Sequence, residues 1–182
     1  MDFAILDAIQ NAWRSPFLDW AMPLVTHLGD LALIWFAAAA VLLSRPKWRT
    51  YGLAVLIAVV LTAAVGTLVL KPLFGRVRPF EIAGFTELLI PAPFGSSFPS
   101  NHSMVSFAAA TALCCIPARG RGVTVAKVLA VVVACLIAFS RVYLYVHFPS
   151  DIAVGAVLGI ALGFASVALA KRLRPPDSDV GE

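Results

Sequence analysis

Apolar residues in this chain come in long runs separated by short polar clusters. Five runs meet or approach the about 20 residues that cross a bilayer as a helix. They lie at roughly 21–43, 51–70, 102–118, 123–144 and 150–170. The third is short, and the first carries His27 and Asp30 within it. Residues 1–14 differ: Phe3, Leu6, Ile9 and Trp13 recur at helical spacing with polar residues between. That pattern predicts a short helix lying in the membrane interface. The expected fold is therefore all-α, an integral membrane helical bundle of about five transmembrane helices plus an N-terminal interfacial helix. It forms one membrane-embedded domain over 1–174. The tail at 175–182, with its Pro-Pro-Asp-Ser-Asp stretch, is expected to be disordered and cytoplasmic.

Composition agrees with that class. Hydrophobic residues make up 60% of 182, charged residues 13%, and the mean hydropathy is +0.90. A soluble domain is about half apolar and a quarter charged. Cys114, Cys115 and Cys135 all lie in apolar runs without metal or disulfide spacing and read as small buried hydrophobes. Asp2 and Asp7 replace the basic start of a signal peptide, so none is expected to be cleaved. The net charge of +4 does not point to nucleic acid.

Charge placement changes the picture more. Arg45, Lys47 and Arg49 follow the first span, Arg119, Arg121 and Lys127 surround the third connection, and Lys171, Arg172 and Arg174 follow the last. These nine of the fourteen basic residues fall on one side of a five-span chain. The positive-inside rule makes that side cytoplasmic, with the N-terminus outside. Arg14, Lys71, Arg76, Arg78 and Arg141 lie on the other side, where the rule disfavours them.

Three polar clusters share that outer face: "KPLFGRVRPF" from Lys71, "FPSNHS" from Phe98, and "SRVYLYVHFPSD" from Ser140. Separately, Lys71, Arg78 and Arg141 read as snorkelling anchors, His102 as a helix cap, and His147 with Asp151 as a structural pair. Gathered on one face, they suit phosphoryl transfer, which needs positioning and charge stabilisation of equatorial oxygens. Lys71, Arg78 and Arg141 supply positive charge, the arginines with bidentate geometry. His102 and His147 stand at predicted helix starts, where backbone N–H groups favour an anion. His147 and Asp151 are four apart, on one helical face. The carboxylate can hold one imidazole nitrogen and free the other as a nucleophile. His102 is then the general acid and later the base for water.

These motifs resemble the type 2 phosphatidic acid phosphatase superfamily. Lys71 is followed after six residues by Arg78-Pro79; Pro99-Ser100-Asn101-His102 matches the second part; Ser140-Arg141, His147 and Asp151 match the third. The resemblance spans 71–151. It implies a metal-independent phosphatase without cofactors, working through a phosphohistidine on His147. It carries catalytic roles to His147, His102 and Asp151, and phosphate binding to Lys71, Arg78, Ser100, Asn101 and Arg141. Asn101 stands where the family has glycine. Asparagine tolerates a left-handed backbone, so the loop is expected to keep its shape, with the side chain adding a contact.

The implied substrate is a phosphorylated lipid in the outer leaflet of a bacterial-type inner membrane. Undecaprenyl diphosphate is the first choice, because the small bacterial members of similar layout act on that carrier. Phosphatidylglycerol phosphate, phosphatidic acid and lipid A 1-phosphate stay open, as do a lipid-to-lipid phosphotransferase and a non-enzymatic channel or scaffold. Residues 80–98 read as an interfacial flap or a packed cap. Gly155, Gly159 and Gly163 predict close helix packing within the bundle rather than dimerisation, and a homo-oligomer stays open. Asp30, at about 3 kcal/mol for a charge inside a span, either pairs with His27 or marks an irregular first span.

Overall fold

The computed structural model describes residues 1–117 and 120–174; Arg119 and the tail lie outside the described residues. The protein is all-helical among them. The helices are α1 (Asp2–Ala12), α2 (Pro16–Leu28), α3 (Leu33–Leu43), α4 (Arg49–Ala64), α5 (Lys71–Phe74), α6 (Pro79–Ala83), α7 (Asn101–Cys114), α8 (Arg121–Tyr143) and α9 (Pro149–Leu173). Three helical stretches are long and apolar enough to cross a membrane: Pro46–Ala83, Arg121–Tyr143 and Pro149–Leu173. The bent pair Pro16–Leu28 and Asp30–Leu43 makes a fourth when counted as one span. The protein is thus a multi-pass membrane protein. The remaining run is α7, whose 14 residues extend only about 21 Å. It lies at the centre, packed on α9, α4 and α8.

The first span is irregular. Between α2 and α3 the chain bends by 51°. Leu31 and Ala32 take left-handed φ values of 51° and 57° there. Such a backbone costs roughly 1–3 kcal/mol per non-glycine residue, so neighbouring contacts must hold it. Asp30 is also paired: its Oδ2 lies 2.6 Å from His27 Nδ1, and its Oδ1 lies 3.0 Å from His102 Nε2. Both alternatives read from the sequence are therefore present together.

The α7–α9 contact positions the site. A Cβ on Gly155 would stand 2.9 Å from the Ser100 carbonyl oxygen, on Gly159 2.3 Å from that of Met104, and on Gly163 2.7 Å from that of Ala108. The three glycines thus let α9 lie directly on the backbone of α7, within the bundle as expected. Ser100 caps α7, accepting from Ser103 N–H, and the Ser100 N–H donates to the Asp151 carbonyl at 3.2 Å. The starts of α7 and α9 are thereby fixed to one another. At the opposite end, Thr50 donates to the Arg174 carbonyl and the Lys171 ammonium lies 6.0 Å from the Tyr51 ring centroid. The basic ends of α4 and α9 therefore meet, away from the histidines.

α1 packs across the site end. Leu6 is buried with Val142, Tyr145 and Phe148, and Phe3 meets Phe148 edge-on at 5.2 Å. The connection after α6 is largely a packed cap: Leu88, Leu89 and Ile90 lie against Met22, Tyr143 and Val146. Phe94 stays exposed on it, as does Ile82 at the end of α6.

Candidate active site

The segment joining α8 to α9 is short and strained. Tyr145 is left-handed, at φ 61°. Its ring stacks on Phe85 at 4.7 Å, and its hydroxyl donates to Asp7 at 3.0 Å. Burial and that bond push the phenol up to about 12. The turn delivers His147 just before α9, where the residue is only 2% exposed.

His147 is held on both ring nitrogens. Nδ1 faces Asp151 Oδ2 at 3.5 Å and Ser97 Oγ at 3.4 Å, and Nε2 faces Arg78 Nη1 at 3.3 Å. Asp151 is wholly buried. It accepts from the Phe148 N–H at 2.9 Å, from Arg76 Nη1 at 2.5 Å and from the Ser97 hydroxyl. A carboxylate with that many donors stays ionised and cannot turn. It fixes the tautomer and plane of the imidazole. Burial pushes His147 well below its ordinary value; Asp151 opposes this, while Arg141 and Arg78 reinforce it. The ring is therefore neutral at physiological pH, the form that can act as a nucleophile.

The cations are set by the backbone. A π-helical turn over Val65–Leu70 leads into Lys71, whose ammonium donates to the Ser96 carbonyl at 2.8 Å. Such turns recur at functional sites because they shift the register of the residues beyond them. Arg78 is buried and donates to the carbonyls of Gly95 at 3.0 Å, Val146 at 2.9 Å and Phe94 at 3.2 Å. Its guanidinium is thus pinned beside Nε2 of His147. Arg141 donates from Nη1 to Thr26 Oγ1 at 2.6 Å. Its Nε is buried and has no hydrogen-bond partner among the described residues. A buried, unpaired guanidinium N–H is costly unless it meets an anion, so this donor is available to a phosphate oxygen.

His102 stands in the first turn of α7 with Nε2 on Asp30. Ser100 is buried as the cap. Asn101 behaves differently from expectation. It opens α7 without a positive φ, so left-handed tolerance is not called upon. Its Nδ2 donates to Thr67 Oγ1 at 2.7 Å, and its side chain lies where a Cβ on Gly66 would fall, 2.1 Å from Oδ1. The side chain thus packs against the π-helical turn.

Arg78 and Asp151 flank His147, Lys71 and Arg141 lie close enough to act on these groups electrostatically, and His102 stands in the first turn of the helix tied to Asp151. Sequence reasoning missed Arg76 and Ser97 as partners of Asp151, and Thr26 as the partner of Arg141. Arg76 also donates to Asp2 Oδ2 at 2.8 Å and lies 4.0 Å over the Phe148 ring. Asp2 in turn accepts from Ser150. Burial raises the Asp2 carboxyl, but the Ser150 and Arg76 bonds outweigh it and hold it below the ordinary carboxylate value. The one signal for Arg76 was its position among the basic residues of the disfavoured face. Among the described residues, no three His, Cys, Asp or Glu side chains converge as a metal set.

The chain is similar to known membrane phosphatases. The model of the PAP2 superfamily matches residues 47–175. Over 135 residues the chain is 34% identical to the undecaprenyl-diphosphatase of Sulfolobus acidocaldarius, covering 74% of this chain and 62% of that protein. It is also 34% identical to phosphatidylglycerophosphatase B of Bacillus subtilis over 160 residues, 83% of this chain and 74% of the relative. The crystal structure of Aquifex aeolicus LpxE superposes with a TM-score of 0.72 at 30% identity, covering 92% of this chain and 94% of the other. That of a transmembrane PAP2-type phosphatidylglycerolphosphate phosphatase from Bacillus subtilis superposes with a TM-score of 0.76 at 28% identity, covering 96% and 86%. The matched segment holds every motif residue of the site, and the chain belongs to the PAP2 superfamily of membrane lipid phosphatases.

Proposed function

We propose that the protein hydrolyses undecaprenyl diphosphate to undecaprenyl phosphate and inorganic phosphate through a phosphohistidine. One observation carries the chemistry: His147 is oriented on Nδ1 by Asp151, and its Nε2 is presented beside a pinned Arg78. Nε2 attacks the terminal phosphorus, and the bond to the bridging oxygen breaks. His102 protonates the departing oxygen. Water then attacks the phosphoryl group, giving a proton to His102, and the P–N bond breaks to free phosphate and His147. Lys71, Arg78, Arg141 and the helix start at Ser100 and Asn101 stabilise the equatorial oxygens. No step calls for a metal, so EDTA is expected to leave turnover unchanged. Loss of activity restored by Mg²⁺ refutes that mechanism.

The substrate assignment is supported by the archaeal relative's name and by apolar side chains exposed near the site, among them Phe74 and Phe94. A second reading, phosphatidylglycerol phosphate, is supported by the Bacillus relative. Phosphate release from each purified lipid in detergent decides between them. Undecaprenyl diphosphate is expected to turn over fastest, and a preference for phosphatidylglycerol phosphate overturns the choice. We place the site at the outer surface because the basic ends of α4 and α9 mark the other one. In a cysteine-free background, a cysteine at Glu87 is expected to react with an impermeant reagent in intact spheroplasts, and one at Arg45 only after lysis. The reverse pattern refutes the orientation.

A further inference from the structure

The break in the first span lies against the second histidine, and nothing in the phosphatase motifs accounts for it. We infer that Asp30 is a positioning residue for His102. It accepts the Nε2 hydrogen of that imidazole, so that Nδ1 is the nitrogen that exchanges protons with the leaving oxygen and with water. The inference rests on the proposed reading of His102 as acid and base.

Four observations carry it. Asp30 Oδ1 lies 3.0 Å from His102 Nε2. The other carboxylate oxygen lies 2.6 Å from His27 Nδ1, so the carboxylate is held at both ends. Gly29 admits the ring: a Cβ there would stand 2.7 Å from His102 Cδ2 and 2.9 Å from Ile137 Cγ2. The left-handed residues Leu31 and Ala32 turn the chain just after Asp30, delivering the carboxylate to α7 in mid-span. The charge logic agrees. An imidazolium forms on His102 when water is deprotonated, in a site already holding Lys71, Arg78 and Arg141. A carboxylate alongside offsets that charge. The arrangement repeats the Asp151–His147 pair, so each working histidine has its own carboxylate on the nitrogen that does not react. His27, with its side chain 56% exposed and Asp30's 44%, restrains Asp30 from the surface side.

The loss of Asp30 should therefore fall on the second half-reaction, where His102 must accept a proton from water. The test uses the full chain in detergent and undecaprenyl diphosphate radiolabelled in its terminal phosphate. Asp30→Asn keeps the shape and removes the charge. Its kcat is expected to fall by about 10²-fold, in the range of lost general base catalysis. Its KM should stay within about twofold, and phosphohistidine should accumulate on most of the enzyme at steady state. A fall in kcat without accumulation, a rise in KM alone, or turnover within about threefold of the parent overturns the inference. Should Asp30→Asn not remain folded, His27→Gln carries the test, since that side chain is largely exposed. It is expected to slow turnover severalfold with partial accumulation, and parental behaviour overturns the inference. His147→Ala separates the two levels. If it forms phosphoenzyme or turns over, the assignment of the nucleophile fails. If it is inert while Asp30→Asn shows no accumulation, only the role of Asp30 fails.

Discussion

Gly159→Ala adds a single methyl group where α9 lies on the backbone of α7, about one turn beyond the packed helix starts. Its Cβ would lie 2.3 Å from the Met104 carbonyl oxygen, 3.1 Å from the Met104 carbonyl carbon and 3.2 Å from Ala108 N. All three are backbone atoms in the middle of α7, so no side chain can swing aside. Relief to ordinary contact moves α7 off α9 by about 1 Å, and Gly155 and Gly163 above and below resist the tilt. Overpacking of this kind costs about 1–3 kcal/mol. The functional cost is larger, because α7 carries Ser100 and His102 while α9 carries Asp151. A displacement of about 1 Å in a reacting constellation costs about 10²-fold in rate. Thermal unfolding in detergent and phosphate release, measured side by side, separate the two effects. Gly122→Ala is the control, since a Cβ there meets nothing within 4 Å. Gly159→Ala with parental activity and parental unfolding would refute the close α7–α9 contact as the element that sets the site.

Two further outcomes concern the site's surroundings. Arg78→Lys keeps one charge but cannot reach the carbonyls of Gly95, Val146 and Phe94 together while lying beside His147, so kcat should fall by about 10²-fold or more; a loss under threefold, measured by phosphate release, would show that charge alone suffices. Asp2 has a lowered carboxyl pKa in the folded protein, so its stabilisation is full above the unfolded carboxylate value and is lost as pH falls through the folded one. The gap in unfolding temperature between the parent and Asp2→Asn should therefore narrow below about pH 4, and a gap that widens on acidification contradicts this.

Much of the site was legible because its parts lie in compact motifs whose spacing is local. Lys71, Arg78 and Arg141 needed only a shared membrane face; the spacing of His147 and Asp151 pointed to a pair, but His147 lies in the turn before α9, so that turn and not a helical repeat brings it to Asp151. What escaped depends on contacts between distant segments. Arg76 sits two residues from Arg78, and only the folded path shows that one guanidinium reaches Asp151 while the other reaches His147. The break at Leu31 and Ala32 is unmarked by glycine or proline at those positions, since tertiary contacts impose it. Asn101 shows the same limit: its side chain is explained by Gly66, 35 positions earlier in the chain, which no local reading connects to it. Residues 80–98 could be read only as a flap or a cap, and the contacts that settle the part at Leu88, Leu89 and Ile90 are with Met22, Tyr143 and Val146, distant in sequence.

The stereochemical course at phosphorus tests the phosphohistidine most directly. A substrate whose terminal thiophosphoryl group is made chiral with oxygen isotopes is hydrolysed in isotopically labelled water, and the configuration of the released thiophosphate is read. Two successive in-line displacements, first by His147 Nε2 and then by water, each invert the centre. Net retention is therefore the predicted result. Net inversion means that water attacks the lipid phosphate in one step, and it would contradict His147 as the nucleophile.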